Sequence, residues 1–286
     1  MIQAGRSIPI SDVPGLITTA ERQALTAITR ELPTGSGRIV DGGSFLGAST
    51  VAILEGLPSE SCERPPVIAI DRFTADDQYV LEELWKVPVD IRLGESFLPI
   101  FLKNLSGRAE KVEVRAGDLM RVGRVDEPIS MAFIDLAKSP QTYSYILWQW
   151  VPKIVARSGV VFHQDWWTPM QPWLMAMTAP ILHQFDVVAD MIDESAVFRM
   201  KNVSEPIAAF AASWPRSPEE MTNRFNTVRR MFASRHEPLI TLAEAHSLHL
   251  IGARTAAEGC FRACSPEGDH PKYKYWYALL DGIIGR

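Results

Sequence analysis

The sequence has very little cysteine and no long apolar run. Three cysteines occur among 286 residues, Cys62, Cys260 and Cys264. So odd and sparse a set suits a reducing compartment better than a disulfide framework, and we expect a cytoplasmic protein. The chain contains no stretch of ~18 consecutive apolar residues. Its first residues lack the apolar core of a signal peptide, so we expect neither a membrane span nor a secretory leader.

The chain also lacks a strong excess of either charge. Its formal net charge is −5, with 22% charged and 47% hydrophobic residues, which is ordinary for a globular protein. We therefore expect no basic surface that would attract nucleic acid or an anionic membrane. A small molecule is the expected partner.

Two nucleotide-binding signatures are missing as well. The Lys-Ser/Thr pair that ends a P-loop is absent, which disfavours ATP bound in that way. An apolar run ending in Asp41 is present, followed by a glycine-rich loop and a helix-compatible run from Ala48. Within the loop, Ser44 stands where the dinucleotide fingerprint G-x-G-x-x-G has its second glycine. A side chain there weakens the case for a pyrophosphate, because that glycine lets the ligand approach the backbone.

Short β-branched runs recur along the chain, with helical patterns between most of them. Such alternation predicts an α/β fold with a doubly wound, mostly parallel sheet. The predicted strands are 38–41, 67–71, 112–116, 130–135 and 159–163, followed by an antiparallel pair at 185–191 and 196–201. An acidic residue follows each of the first five strands closely: Asp41, Asp71, Asp118, Asp135 and Asp165. Ligands of open α/β sheets bind beyond the carboxyl ends of the strands, so we expect these carboxylates to serve one site.

In this order, the motifs resemble those of class I S-adenosylmethionine-dependent methyltransferases over roughly residues 15–200. The loop Gly-Ser-Phe-Leu-Gly-Ala-Ser-Thr is similar to that of macrolide- and sugar-modifying O-methyltransferases. The resemblance implies that S-adenosylmethionine is the cofactor, with Asp71 at the ribose and Asp118 near the adenine. The implied cofactor residues are Asp41, Gly42, Gly43, Ser44, Gly47, Asp71, Arg72, Asp118, Leu119 and Asp135.

Asp135 and Lys138 form a D-x-x-K segment that resembles the catechol-type Mg-dependent O-methyltransferases. In that family the aspartate binds the metal and the lysine takes the hydroxyl proton. The resemblance implies Mg²⁺ at Asp135 and Asp165, with Asp135 and Lys138 catalytic. The family's Asp-Asn pair after the fifth strand is replaced here by Gln164-Asp165. Two carboxylates still suit Mg²⁺, which keeps several waters in protein sites.

Two further features near the fifth strand have both a functional and a structural interpretation. His163 offers a metal-free general base, because an unperturbed imidazole titrates near ~6.5. A strand-end histidine is as often structural. Trp166 and Trp167 follow directly, and their rings would suit stacking on a sugar or an aromatic acceptor. The alternative for both tryptophans is hydrophobic packing.

We therefore expect a cofactor-binding methyltransferase domain over residues 1–204 and a helical appendage over 205–286. The appendage would act as a lid or as a homo-oligomer contact. The expected activity is methylation of a hydroxyl group on a small molecule, either a sugar or a natural product. A NAD-type oxidoreductase stays open as an alternative. A non-catalytic binding or assembly protein of the same fold also stays open, because Gln164-Asp165-Trp166 diverges from the family pattern.

Overall fold

The computed structural model describes residues 13–58, 66–87, 90–201, 213–232 and 234–285. The strands are β1 (Arg38–Gly42), β2 (Val67–Asp71), β3 (Val112–Ala116), β4 (Ile129–Ile134), β5 (Val160–His163), β6 (Phe185–Ile192) and β7 (Ser195–Met200). The helices are α1 (Thr19–Glu31), α2 (Ala48–Gly56), α3 (Gln78–Trp85), α4 (Leu98–Asn104), α5 (Leu119–Val122), α6 (Pro140–Gln149), α7 (Trp173–Thr178), α8 (Pro218–Met231), α9 (Glu237–Leu250), α10 (Arg254–Arg262) and α11 (Tyr273–Ile284).

The strands form one mixed sheet in the order β3-β2-β1-β4-β5-β7-β6. β1 pairs in parallel with β2 and β4, and β2 pairs in parallel with β3, whereas β6 and β7 are antiparallel. The predicted fold class is thereby confirmed: a doubly wound, mostly parallel sheet whose last strands are antiparallel. Dinucleotide-binding sheets commonly follow the order 3-2-1-4-5-6. Here β7 takes the place beside β5, so the sheet departs from the NAD-binding arrangement at this edge.

The chain divides into two compact units. Unit 1 comprises Met1–Leu136 and Lys153–Phe162, and unit 2 comprises Ala137–Pro152 and His163–Arg286. In unit 1, α1 begins at a capping box in which the Thr18 and Glu21 side chains each accept a backbone N–H. Helix α2 packs on α1 at Gly56, where an added Cβ would lie 2.5 Å from the Thr26 carbonyl oxygen. Glycine therefore allows the close approach that covers β1 and β2.

Unit 2 contains the antiparallel strand pair and the C-terminal helices. The chain reverses between β6 and β7 at Asp193, whose φ of +52° is left-handed. Helix α8 buries Met221, Phe225 and Val228, as their helical spacing predicts. Its Arg229 forms ion pairs of 2.7 Å with Glu237 and with Glu244 of α9.

Several boundaries differ from the sequence expectations. Strands β1 to β5 begin and end within one residue of the predicted positions, whereas the sequence patterns do not predict helices α3, α4, α5, α7 and α10. The predicted domain boundary at 204/205 and Cys62 both lie outside the described residues. Unit 2 contains α6, β6 and β7 in addition to the helices expected in the appendage. In the described parts of the chain, no helix is both long and apolar enough to cross a membrane.

Candidate active site

The loop between β1 and α2 turns on two glycines with left-handed backbone. Gly43 has a φ of +92° and Gly47 a φ of +100°. A Cβ on Gly43 would lie 2.8 Å from the backbone oxygen of Asp135, so any side chain there would push the two segments apart. Gly47 is the residue before α2, and its added Cβ would meet the ring of Phe101 at 3.3 Å. Backbone conformation and close approach thus account for both predicted glycines.

Three other predicted cofactor residues are buried, and one of them, Ser44, shapes the loop. The Ser44 hydroxyl donates to the backbone oxygen of Asp41 at 3.0 Å, so it closes the turn instead of facing a ligand. Gly42 is the buried last residue of β1, and Leu119 is buried at the start of α5. The side chains of Ser44 and Leu119 are thus buried in the structure, and a role for either residue in binding the cofactor stays a prediction.

Asp41 is a fully buried carboxylate at the end of β1. Its Oδ2 accepts hydrogen bonds from the hydroxyls of Ser49, at 3.1 Å, and of Thr50, both in the first turn of α2. Its Oδ1 has no hydrogen-bond partner among the described residues. Burial raises the pKa of Asp41 to about 6, although the hydroxyl donors act in the opposite direction. A buried acceptor without a partner is costly, so a donor that reached it would be bound favourably.

Asp71 at the end of β2 holds two loops with one carboxylate. Its Oδ2 accepts the backbone N–H of Phe45 at 2.9 Å, and its Oδ1 accepts the backbone N–H of Phe73 at 2.8 Å. Both phenylalanines have left-handed backbone, with φ of +44° and +53°. Burial raises the pKa of Asp71, while the backbone donors favour its ionised form. A carboxylate offers about four lone pairs, so acceptor capacity remains for a hydroxyl-bearing ligand.

The rings of the same two residues join an aromatic cluster in unit 1. Phe45 meets Phe97 edge-on with 5.4 Å between ring centroids, and Phe73 meets Phe97 at 5.8 Å and Phe101 at 4.7 Å. Phe73, Phe97 and Phe101 are fully buried, whereas Phe45 is half-buried. No sequence pattern indicates that a phenylalanine has a left-handed φ, so neither Phe45 nor Phe73 was predicted as a site residue.

Asp118 follows β3 and is partly committed to local contacts. Its Oδ1 accepts the backbone N–H of Met120 and so caps α5. Its Oδ2 lies 3.6 Å from the guanidinium of Arg72, which also pairs with Asp76. The pairs with these two carboxylates raise the pKa of Arg72. Asp118 and Arg72 are both exposed, so the ends of β2 and β3 carry an accessible charged pair.

Asp135 lies directly after β4 and is half-buried. Its backbone N–H donates to the carbonyl of Gly42 at 2.8 Å, which extends the pairing of β1 and β4 past the strands. Asp41, Asp71, Asp118 and Asp135 thus follow four neighbouring parallel strands of unit 1. The structure brings these four predicted carboxylates to one edge of the sheet.

In unit 2, Lys138 and Asp165 form an ion pair. The Lys138 Nζ lies 2.6 Å from Asp165 Oδ2, which also accepts a hydrogen bond from the Gln171 side-chain amide at 2.7 Å. Lys138 is 54% exposed, whereas Asp165 is 15% exposed and has left-handed backbone with a φ of +62°. The predicted lysine and the fifth predicted acid are therefore partners, with the carboxylate fixed and the ammonium group open to solvent.

His163 is a buried structural residue, which corrects its candidacy as a general base. Its Nε2 lies 2.9 Å from the hydroxyl of Tyr143, and its Nδ1 lies 3.2 Å from the carbonyl of Gln164. The ring also packs against Trp166 with 5.4 Å between centroids. Burial lowers the pKa of His163 to about 4. Both ring nitrogens have protein partners and the side chain is 2% exposed, so a substrate hydroxyl has no route to it.

Trp166 and Trp167 are packing residues, which corrects the expectation that they stack on an acceptor. Both side chains are fully buried. Trp166 packs edge-on against Phe198 at 4.9 Å, and Trp167 stacks on His236 at 4.3 Å. The Trp167 indole N–H also donates to the carbonyl of Asp190 at 2.6 Å. Neither ring offers an exposed face to a ligand.

Metal and thiol chemistry have little support in the described residues. No group of three or more His, Cys, Asp and Glu side chains is gathered there in an arrangement that could hold a metal ion. Cys260 and Cys264 are free thiols near the end of α10. Burial raises the pKa of each to about 12, so both stay protonated and weakly nucleophilic.

Comparison with known proteins gives likeness at the level of the fold. No family model matches the chain, and no curated protein matches it. Similar solved structures include the O-methyltransferase NovP (14% identity, 65% of this chain and 81% of that chain, TM-score 0.48). They also include the calicheamicin methyltransferase CalS11 (15%, 63% and 77%, 0.44) and an O-methyltransferase from Bacillus cereus in complex with SAH (13%, 67% and 86%, 0.44). With TM-scores below 0.5, these likenesses give no residue roles.

Proposed function

We propose that this protein is an S-adenosylmethionine-dependent O-methyltransferase that acts on a hydroxyl group of a small molecule, a sugar or a natural product, in the cytoplasm. The proposal rests on the arrangement of residues at the carboxyl ends of the parallel strands in unit 1. There, Asp41, Asp71, Asp118 and Asp135 follow four neighbouring parallel strands around a loop with two left-handed glycines. Ligands of open α/β sheets bind at this edge.

The residues at this edge fit the proposed cofactor. The remaining acceptor capacity of Asp71 suits a hydroxyl group of a ribose. Asp118, which is exposed, suits the amino group of an adenine, and the unpartnered Oδ1 of Asp41 marks a place for a donor or a bridging water. Ser44 in place of the second glycine, and β7 beside β5, weigh against a dinucleotide. When bound, S-adenosylmethionine supplies a methyl group that is already strongly electrophilic.

We assign the acceptor side of the reaction to Lys138, with Asp165 as its positioning partner. A lysine accepts a proton only in its neutral form, so Lys138, which is exposed, would release a proton to solvent before it takes one from the hydroxyl. Alignment of the acceptor would supply most of the rate enhancement, up to about 7–11 kcal/mol in the best cases.

A magnesium-assisted version of the same reaction rests on Asp135 and Asp165. Oxygen ligands suit this ion, which keeps several waters. The engagement of Asp165 with Lys138 and Gln171 favours the metal-free version. Turnover that is lost in EDTA and restored by Mg²⁺ would support the magnesium version.

Calorimetric titration with S-adenosylhomocysteine and with NAD⁺ tests the proposal. We expect heat with the sulfur compound and none with NAD⁺, and weaker binding after Asp118→Ala. Asp126→Ala is the matched control, since Asp126 is an exposed acid that pairs with Arg124 and precedes β4, so it does not lie at the carboxyl end of a strand. Binding of NAD⁺ alone would identify an oxidoreductase. Binding of the sulfur compound without turnover on any hydroxyl acceptor would favour a non-catalytic role.

A further inference from the structure

Helix α11 carries apolar residues on a buried inner face and also on an exposed outer face. Its inner face, formed by Tyr273, Trp276, Leu280 and Ile284, is buried in unit 2. On the outer face, Tyr275, Leu279 and Ile283 are 65%, 38% and 37% exposed. Residues four apart lie on the same side of a helix, so these three form a continuous stripe. Single exposed apolar residues are common, but a row of three on one helix marks an interaction surface.

Gly282 lies on the same outer face and has no steric reason to be glycine in a single chain. Its φ is not left-handed, and a Cβ added to it would have no atom within 4 Å. Glycine inside a helix costs about 1 kcal/mol relative to alanine. Ala278 lies one turn earlier on this face. Two small residues one turn apart allow the backbone of another helix to approach closely.

Two charged residues beside the stripe indicate that its partner is a second copy of α11 and that the two helices run antiparallel. Lys274 and Asp281 lie two turns apart on one flank of α11, and neither forms an ion pair with another described residue. A second α11 that packs in the antiparallel direction brings Lys274 of each copy opposite Asp281 of the other. In a parallel pair the charged flank of each helix would instead lie opposite the apolar flank of the other, which leaves Lys274 and Asp281 without each other as partners.

We propose that the outer face of α11 is a homodimer contact, in which it packs antiparallel against α11 of a second copy of this chain. The contact is independent of the proposed methyl transfer. A helix of 12 residues is about 18 Å long. One such helix pair buries less than the roughly 1,600 Å² of a standard interface, so the dimer forms reversibly with concentration.

Sedimentation equilibrium of the full chain over a range of concentrations tests the contact. We expect a monomer–dimer equilibrium that Leu279→Glu shifts to monomer. Leu250→Glu is the matched control, because Leu250 is 48% exposed at the end of α9 and lies off the stripe. Gly282→Leu separates association from folding. It improves helix propensity, so thermal stability is kept, yet the dimer dissociation constant should rise at least about tenfold.

Charge reversal tests the antiparallel direction. Lys274→Glu and Asp281→Lys should each weaken the dimer, and the double variant should restore it. The proposal is overturned by a monomer at every concentration, or by a dimer that Leu279→Glu and Gly282→Leu leave unchanged. A double variant that stays as weak as the single ones would overturn the antiparallel arrangement.

Discussion

Asp71 accepts the backbone N–H of Phe45 at 2.9 Å, although the two residues are 26 positions apart in the chain. The same carboxylate accepts the N–H of Phe73. A residue expected to bind the cofactor directly therefore also fixes the loops that surround the site.

Replacing Asp71 by Asn should loosen both loops. The carboxamide has one acceptor oxygen, so one buried N–H loses its partner, at a cost of about 1–3 kcal/mol. We expect faster hydrogen exchange at the amides of Phe45 and Phe73 and weaker binding of S-adenosylhomocysteine. Asp76→Asn, which removes a charge from the same segment but touches neither amide, should leave the exchange unchanged. Equal exchange in both variants would show that Asp71 does not hold the loops.

Replacing Gly43 by Ala should be more damaging than replacing Gly94 by Ala. The two glycines have φ of +92° and +86°, so a side chain is strained by about 1–2 kcal/mol at either position. Only at Gly43 would the Cβ also meet backbone, 2.8 Å away at Asp135, whereas Gly94 has open space. We expect Gly43→Ala to cost a further ~1–3 kcal/mol in urea unfolding and to abolish cofactor binding. Equal losses of stability would contradict the close approach of the two segments.

Replacing Asp41 by Asn should stabilise the protein at neutral pH while weakening cofactor binding. Burial raises the pKa of Asp41 from 3.8 to about 6. Between these two pH values the folded protein binds more protons than the unfolded chain. Ionisation of Asp41 therefore lowers the free energy of unfolding as the pH rises from 3.8 to about 6, by about 3 kcal/mol in all. Unfolding free energies of both proteins at about pH 4 and about pH 7.5 test the sign. A variant that is less stable at the higher pH would show that the ionised carboxylate is favourable there.

His163 should make the free energy of unfolding depend on pH with the opposite sign to Asp41, and its replacement should not change catalysis. Burial lowers the pKa of His163 from 6.5 to about 4. The neutral ring is therefore accommodated without cost above pH 6.5, and the free energy of unfolding falls by about 3 kcal/mol as the pH is lowered from 6.5 to about 4. His163→Gln should reduce this acid sensitivity in unfolding experiments. Because the side chain has no access to an acceptor, the pH profile of kcat should keep its shape. If His163→Gln removed the acidic limb of the kcat–pH profile, His163 would be the general base after all.

Lys138→Met should reduce kcat on an identified acceptor by about 10²–10⁴, the usual contribution of a general base. Binding of S-adenosylhomocysteine should be unchanged. Lys153→Met, at an exposed lysine of unit 1, is the control for the loss of a surface charge. If the two variants turn over equally fast, the proton must go to another group.

Sequence patterns could predict the sheet but only part of the site. Short β-branched runs place a strand reliably, and an acid after a parallel strand is positioned by the fold, as with Asp71 and Asp135. The environment of each side chain was harder to predict. Nothing in the sequence distinguishes the buried Trp166 from an exposed stacking residue, because burial depends on partners such as Phe198 that are distant along the chain. The left-handed backbone of Phe45 likewise depends on Asp71, and a search for glycines cannot find it.

The hydrogen bond between Phe45 and Asp71 also limits how the glycine loop can be used in protein engineering. The shape of the loop is held by an acid on the next strand, so the segment from Asp41 to Gly47 is not a self-contained module. Grafting it into another α/β scaffold without a carboxylate at the end of the neighbouring strand would leave the N–H of Phe45 without its acceptor. The smallest transferable unit is therefore the whole β1–α2–β2 segment, through Phe73.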